Sequence, residues 1–206
     1  MHNYSIDTRE RVYVVFKLAL ISIVLVTILK NFLTNITFIH LSISISSLSL
    51  TIFGFIYYLF DNYLWDFKII RLALGVKVPN LSGEWKGEFV SSYQARDDGT
   101  GGVKGEVQIK IKQTWSKISI CSNNPGSSKS YSHIAGIFLK DPKGIVLKYE
   151  YENEPIESFV NSMNRHSGFE SIVYDEDDKN SMYGSYYNDK YRKTYGTKKY
   201  TRVNQI

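Results

Sequence analysis

The chain has 206 residues, which is room for one or two domains. Its formal net charge of +5 is made of charges mixed in sign, with no basic block, and this argues against the concentrated cationic face that holds a nucleic-acid duplex. Its one cysteine, Cys121, excludes an intrachain disulfide and agrees with a reducing compartment.

Charge is distributed unevenly along the chain. Residues 1–79 carry 7 Lys and Arg against 4 Asp and Glu, and residues 80–206 carry 18 against 16. Between Lys30 and Asp61 there is no charged residue. Val12 to Leu29 is an apolar run broken only by Lys17, close to the length of about 20 residues that a spanning helix needs. Lys17 lies near one end, where its stem can carry the ammonium to the headgroups. A second uncharged run covers Phe38 to Phe60. Its LSISISSLSL stretch alternates like a strand, but the run is too long for one and continues into the aromatic IFGFIYYLF.

These runs predict two transmembrane helices, at about 12–33 and 38–60, joined by a short link over Lys30–Thr37. Arg9 and Arg11 precede the first, and Lys68, Arg71 and Lys77 follow the second, which places both termini in the cytoplasm. Tyr57, Tyr58, Tyr63 and Trp65 are expected as an interfacial belt. Ser42, Ser46 and Ser49 recur at helical spacing, either packing within the hairpin or guiding assembly between molecules. A cleaved signal peptide is disfavoured, because no small-residue cleavage site follows Leu29. The segment Asp61–Val78 reads as a short amphipathic connector that Pro79 ends.

From Leu81 the pattern changes to short β-branched and aromatic stretches separated by Gly, Asn, Asp and Pro clusters. Eight strands are predicted: 83–93, 103–115, 117–122, 130–140, 144–152, 168–174, 181–187 and 194–203. Turns fall at DDGTGG, NNPGSS, DPKG and DEDDKN. This order predicts a cytoplasmic domain over 80–206 folded as an eight-stranded, up-and-down, lipocalin-like β-barrel behind the two-helix hairpin of 1–79. Alternation points Val107, Ile109 and Ile111 inward, with Ile145, Leu147, Tyr149 and Tyr151.

Little here suggests catalysis. The domain has two histidines, His133 and His166, and one cysteine, too few for a usual zinc site. GTGGVKG lacks the ending of a phosphate loop, and the acidic run at Asp175 lacks the glycine and distal glutamate of a calcium loop. The expectation is a non-enzyme with no cofactor and no metal. The distinctive feature is aromatic: nine of the 16 tyrosines fall between Tyr149 and Tyr200. Tyrosine pairs a flat apolar face with a polar tip, which suits stacking on a nucleobase. It also fills barrels and girdles strands near membranes.

The stretches LSGEWKGEF (81–89), YEYENEP (149–155), RHSGF (165–169), YGSYYND (183–189) and RKTYGTKKY (192–200) stand in order behind the hairpin. With it, the whole chain resembles the two-transmembrane β-barrel effectors of bacterial CBASS anti-phage defence, the CD-NTase-associated family with STING-like wiring. The resemblance implies that the barrel senses a cyclic dinucleotide made by a partner synthase. Bound ligand would drive self-association in the inner-membrane lipid, and membrane disruption would kill the infected cell. On that reading Tyr149, Tyr151 and Tyr187 border the bases, Arg165 and Arg192 meet phosphates, and Asn153, His166 and Thr194 read polar edges. The alternatives are a lipocalin-like barrel for a lipid or other apolar ligand, and a filled barrel acting as an interaction module.

Overall fold

The computed structural model describes residues 1–36, 45–95 and 101–203. They fall into two compact units: Met1–Thr8 with the chain from Pro79 onward, and Arg9–Val78. The first eight residues therefore join the β unit, not the N-terminal unit of 1–79 expected from the sequence.

In the helical unit, α1 runs from Glu10 to Ile36, α2 from Ile45 to Leu59 and α3 from Lys68 to Leu74. Lys30 to Ile36 is thus helix, where the sequence suggested a link. Residues 37–44, including Ser42, lie outside the described residues. Among those described, one helix is long and apolar enough to cross a membrane, Glu10–Asn31, and only 22% of its most apolar stretch is buried. A core helix of a soluble protein would be mostly covered; here Phe16 and Val24 stay 60% and 57% exposed.

A π-helical turn at Phe60–Leu64 follows α2. Of the expected aromatic belt, Tyr58 and Tyr63 are exposed and meet edge to face, but Trp65 is buried under the Arg71 guanidinium. Lys17 does not reach away from its unit: its ammonium donates to the carbonyls of Ala73 and Leu74, at 3.2 and 2.9 Å. Those carbonyls belong to the last turn of α3 and have no partner within the helix, so a cation there satisfies both the bonds and the dipole. Gly75 closes that helix in the left-handed conformation, φ +81°.

The β unit has nine strands, not eight: β1 His2–Ile6, β2 Gly83–Ala95, β3 Gly101–Gln113, β4 Lys117–Asn124, β5 Ser128–Asp141, β6 Gly144–Pro155, β7 His166–Tyr174, β8 Ser181–Asn188 and β9 Tyr195–Arg202. They form a closed barrel in the order β1-β4-β3-β2-β9-β8-β7-β6-β5, with β4 also paired to β5. Strands β2 to β9 follow each other antiparallel. The added strand β1 lies antiparallel to β4 and parallel to β5. It covers part of the β4–β5 seam, and the Asp7 carboxylate holds its end by accepting from the backbone N–H groups of Leu139 and Lys140.

Alternation places Val107, Ile109 and Ile111 inside, with Gln108, Lys110 and Lys112 outside. One end of the interior is filled by Tyr4, Leu81, Trp85, Trp115, Ile118, Ile120 and Ile137, all at most 2% exposed. The inward positions of three strands then leave this apolar plug in step. On β6 they run Leu147, Tyr149, Tyr151, Asn153; on β7, Ile172, Glu170, Gly168, His166; on β9, Tyr200 and Lys198. The interior thus passes from apolar plug, through a polar layer, to a cavity.

Candidate functional site

The cavity has a volume of about 320 Å³. Its exposed rim includes Tyr93 and Phe159, and its buried depth includes Asn153, His166, Tyr186 and Lys198. A 3₁₀ turn at Glu157–Phe159 and the loop after it bring Phe159 and Met163 to the wall. Three lining residues are basic, Arg192, Lys198 and His166, and among the described residues none in the lining is a carboxylate.

Beneath the cavity lies a polar layer centred on Glu170, which is fully buried. Glu170 Oε2 accepts from the Tyr149 hydroxyl at 2.8 Å and from Lys198 Nζ at 2.6 Å, while Oε1 accepts from the Tyr200 hydroxyl at 2.8 Å. A buried charge is tolerable only when paired and hydrogen-bonded, and three donors meet that condition. Burial and the neighbouring Glu170 push the Tyr149 and Tyr200 hydroxyls well above the ordinary phenol range, so both remain donors. Lys198 Nζ also stands 4.8 Å from the ring centroid of Tyr186 and 5.8 Å from that of Tyr151.

The residues singled out from the sequence separate into two groups. Tyr151, Asn153, His166, Arg192 and Thr194 line the cavity together. The Tyr151 hydroxyl donates to Asn188 Oδ1 at 2.8 Å, and Asn188 Nδ2 donates to Thr194 Oγ1 at 2.7 Å, forming one wall. Asn153 Oδ1 accepts from Ser130 at 2.8 Å, and its Nδ2 has the Met163 sulfur as partner at 3.4 Å. His166 Nδ1 lies 2.7 Å from the Asn164 carbonyl. At the rim, Arg192 Nη1 donates to the Ser162 carbonyl at 3.1 Å, and its guanidinium stacks 4.3 Å from the Tyr93 ring centroid.

Tyr149, Arg165 and Tyr187 are not in the lining. Tyr149 is inward but sits in the layer below. Arg165 is 62% exposed and pairs with Glu152 and Glu154 on the outer surface. Tyr187 is exposed and stacks on Phe169 with ring centroids 5.5 Å apart. The cause is the two-residue period of strands: His166 and Tyr186 point inward, so their neighbours Arg165 and Tyr187 point out. The same rule turns two further residues inward. Lys198 shares the parity of buried Tyr200, and Glu170 shares that of Ile172, so both face the interior.

Residues 76–202 match the family model described as Cap15, cyclic dinucleotide receptor domain. Over 177 residues the chain is 34% identical to a protein named CD-NTase-associated protein 15 from Yersinia aleksiciae, an overlap of 85% of this chain and 78% of that relative. The matched span contains β2 to β9 and every residue lining the cavity. With its N-terminal apolar helix and its nine-stranded β unit, the chain belongs to the Cap15 family of CBASS-associated proteins with a cyclic dinucleotide receptor domain.

Proposed function

We propose that this chain is a CBASS effector whose barrel cavity binds a cyclic dinucleotide and whose apolar helices then assemble and disrupt the inner membrane. One observation carries the ligand reading. The cavity presents Arg192 at its rim, with the donors Lys198 and His166 beside Tyr151 and Tyr186, and among the described residues no carboxylate lines it. Such a surface attracts an anion and offers ring faces to a base. Family membership and the exposed apolar surface of α1 support the remainder.

Direct contacts are assigned to Tyr151, Asn153, His166, Arg192 and Thr194. Tyr149 acts through the layer beneath, and Arg165 and Tyr187 take no direct part. Both helical runs span the membrane, with the termini cytoplasmic, where a synthase's product reaches the barrel. Ligand favours the assembled state only to the extent that this state binds it better, and a swing from about 1:99 to 99:1 needs about 5.5 kcal/mol of that preference. Several subunits share the requirement.

The test is reconstitution of the full chain into dye-loaded vesicles of bacterial phospholipid. Leakage that begins only on adding a cyclic dinucleotide, with a concurrent shift to larger cross-linked species, is the expected result. Leakage independent of nucleotide, or none at all, refutes the effector reading. The apolar walls Phe89, Val103, Phe159 and Met163 favour one rival, a barrel for a lipid-like ligand. That rival predicts a stoichiometric apolar molecule in solvent extracts of the purified chain.

A further inference from the structure

The two strongest cations of the cavity differ in how far they are already neutralised. Lys198 is buried and bonded to Glu170 at 2.6 Å, so that pair adds little net charge. Arg192 stands at the rim, and among the described residues it has a carbonyl and a ring as partners but no ion pair. A phosphodiester, strongly hydrated and anionic, gains most from the uncompensated cation near solvent. A neutral group is better matched to the compensated one at depth.

Lys198 nevertheless has donors to spare. An ammonium carries three N–H groups and no acceptor, and one of them is used on Glu170. What remains near its Nζ is the ring faces of Tyr186 and Tyr151. Asn153 Nδ2 is in a similar position, because a thioether sulfur is a weak acceptor that any oxygen can replace. The depth of the cavity is therefore rich in donors, flanked by flat rings and roughly neutral. A carbonyl on a planar heterocycle fits those three properties.

We infer that Lys198 is a specificity-determining residue: positioned by Glu170, it donates to the carbonyl oxygen of a nucleobase inserted at the bottom of the cavity, while Arg192 takes a phosphate at the rim. This rests on the proposed cyclic dinucleotide reading and sharpens it. Adenine is the one common base without a carbonyl, so the site selects against it. A site built to hydrogen-bond a particular group rejects analogues lacking it more strongly than apolar fit alone does, because its own donors are left unmatched.

The experiment is calorimetry on the full chain in detergent with cyclic di-AMP, cyclic di-GMP and cyclic di-UMP. The expected result is that at least one of the carbonyl-bearing ligands binds tenfold or more tightly than cyclic di-AMP. The paired variant Lys198→Met with Glu170→Gln removes the donor without stranding the carboxylate, and it should bring the ligands to within about threefold of each other. Arg192→Met should weaken all of them alike. Cyclic di-AMP binding as well as or better than both others overturns the inference, with no variant needed. So does a preference that survives in the paired variant when its near-ultraviolet circular dichroism is native. Failure of the wild-type chain to bind any of the three refutes the ligand class itself, a separable outcome.

Discussion

Replacing Tyr4 tests whether a five-residue N-terminal strand truly belongs to the barrel. Tyr4 is 2% exposed, its hydroxyl donates to the Trp115 carbonyl at 2.7 Å, and Gln113 Nε2 reaches that hydroxyl at 3.4 Å. Gln113 in turn accepts from the Leu81 N–H and donates to the Pro79 carbonyl, so Tyr4 supports the entry to β2 as well as filling space. Truncating a buried aromatic to alanine costs about 3–5 kcal/mol. Losing the hydrogen bond from the Tyr4 hydroxyl to the Trp115 carbonyl adds about 1 kcal/mol. Together Tyr4→Ala should destabilise the β unit by about 4–6 kcal/mol, which for a domain of this size lowers Tm by roughly 12–20 °C. Tyr4→Phe keeps the ring and loses only the hydroxyl, so it should cost about 1–2 kcal/mol and a few degrees. The assay is thermal unfolding of the full chain in detergent, followed by near-ultraviolet circular dichroism. If Tyr4→Ala moves Tm by less than about 3 °C, the N-terminal segment is a tail and the nine-stranded account fails.

Further outcomes follow from the cavity and the layer beneath it. A Cβ at Gly168 would press on the Tyr151 hydroxyl end and on Asn188 Oδ1, so Gly168→Ala should displace that wall and weaken cyclic dinucleotide binding by about tenfold, while the unfolding curve stays cooperative. Arg192→Glu should abolish measurable binding, whereas Arg165→Ala should leave affinity unchanged, because Arg165 faces solvent on the outer surface; titration calorimetry on both variants separates the two arginines. The Tyr149 and Tyr200 hydroxyls have folded pKa values raised above 10.0 by burial and by Glu170. Their contribution to stability is complete below pH 10, the unfolded value, and is lost as pH rises beyond it, so denaturant midpoints should fall steeply on the alkaline side. Phenolate absorbance should show these tyrosines ionising only as the barrel unfolds.

Much of the fold was legible because alternation is a strong signal where one strand face is buried. Ile145, Leu147, Tyr149 and Tyr151 on β6 are buried as their pattern required. Strand β1 was not legible: HNYSI is short and mostly polar, and its place depends on a seam between β4 and β5 that lies more than a hundred residues away. The role of Lys17 was hidden for a similar reason, since its partners are carbonyls of a helix far along the chain.

The cavity lining was legible in part. Of the residues that chemistry singled out, Tyr151, Asn153, His166, Arg192 and Thr194 line the cavity, while strand parity turns Arg165 and Tyr187 to the outer surface. A lysine on a strand rich in charge looks solvated until its phase with Tyr200 is counted, and this hides Lys198 in the sequence. Its buried partner Glu170 looked like one acidic residue among many for the same reason.

The measurement that bears most directly on the whole account is titration of the purified full chain with a panel of cyclic dinucleotides by calorimetry, with a linear mononucleotide as control. The account predicts saturable heat with one ligand per barrel for at least one cyclic dinucleotide, and none for the mononucleotide. A flat titration across the entire panel, from a chain whose barrel is shown to be folded, would contradict it.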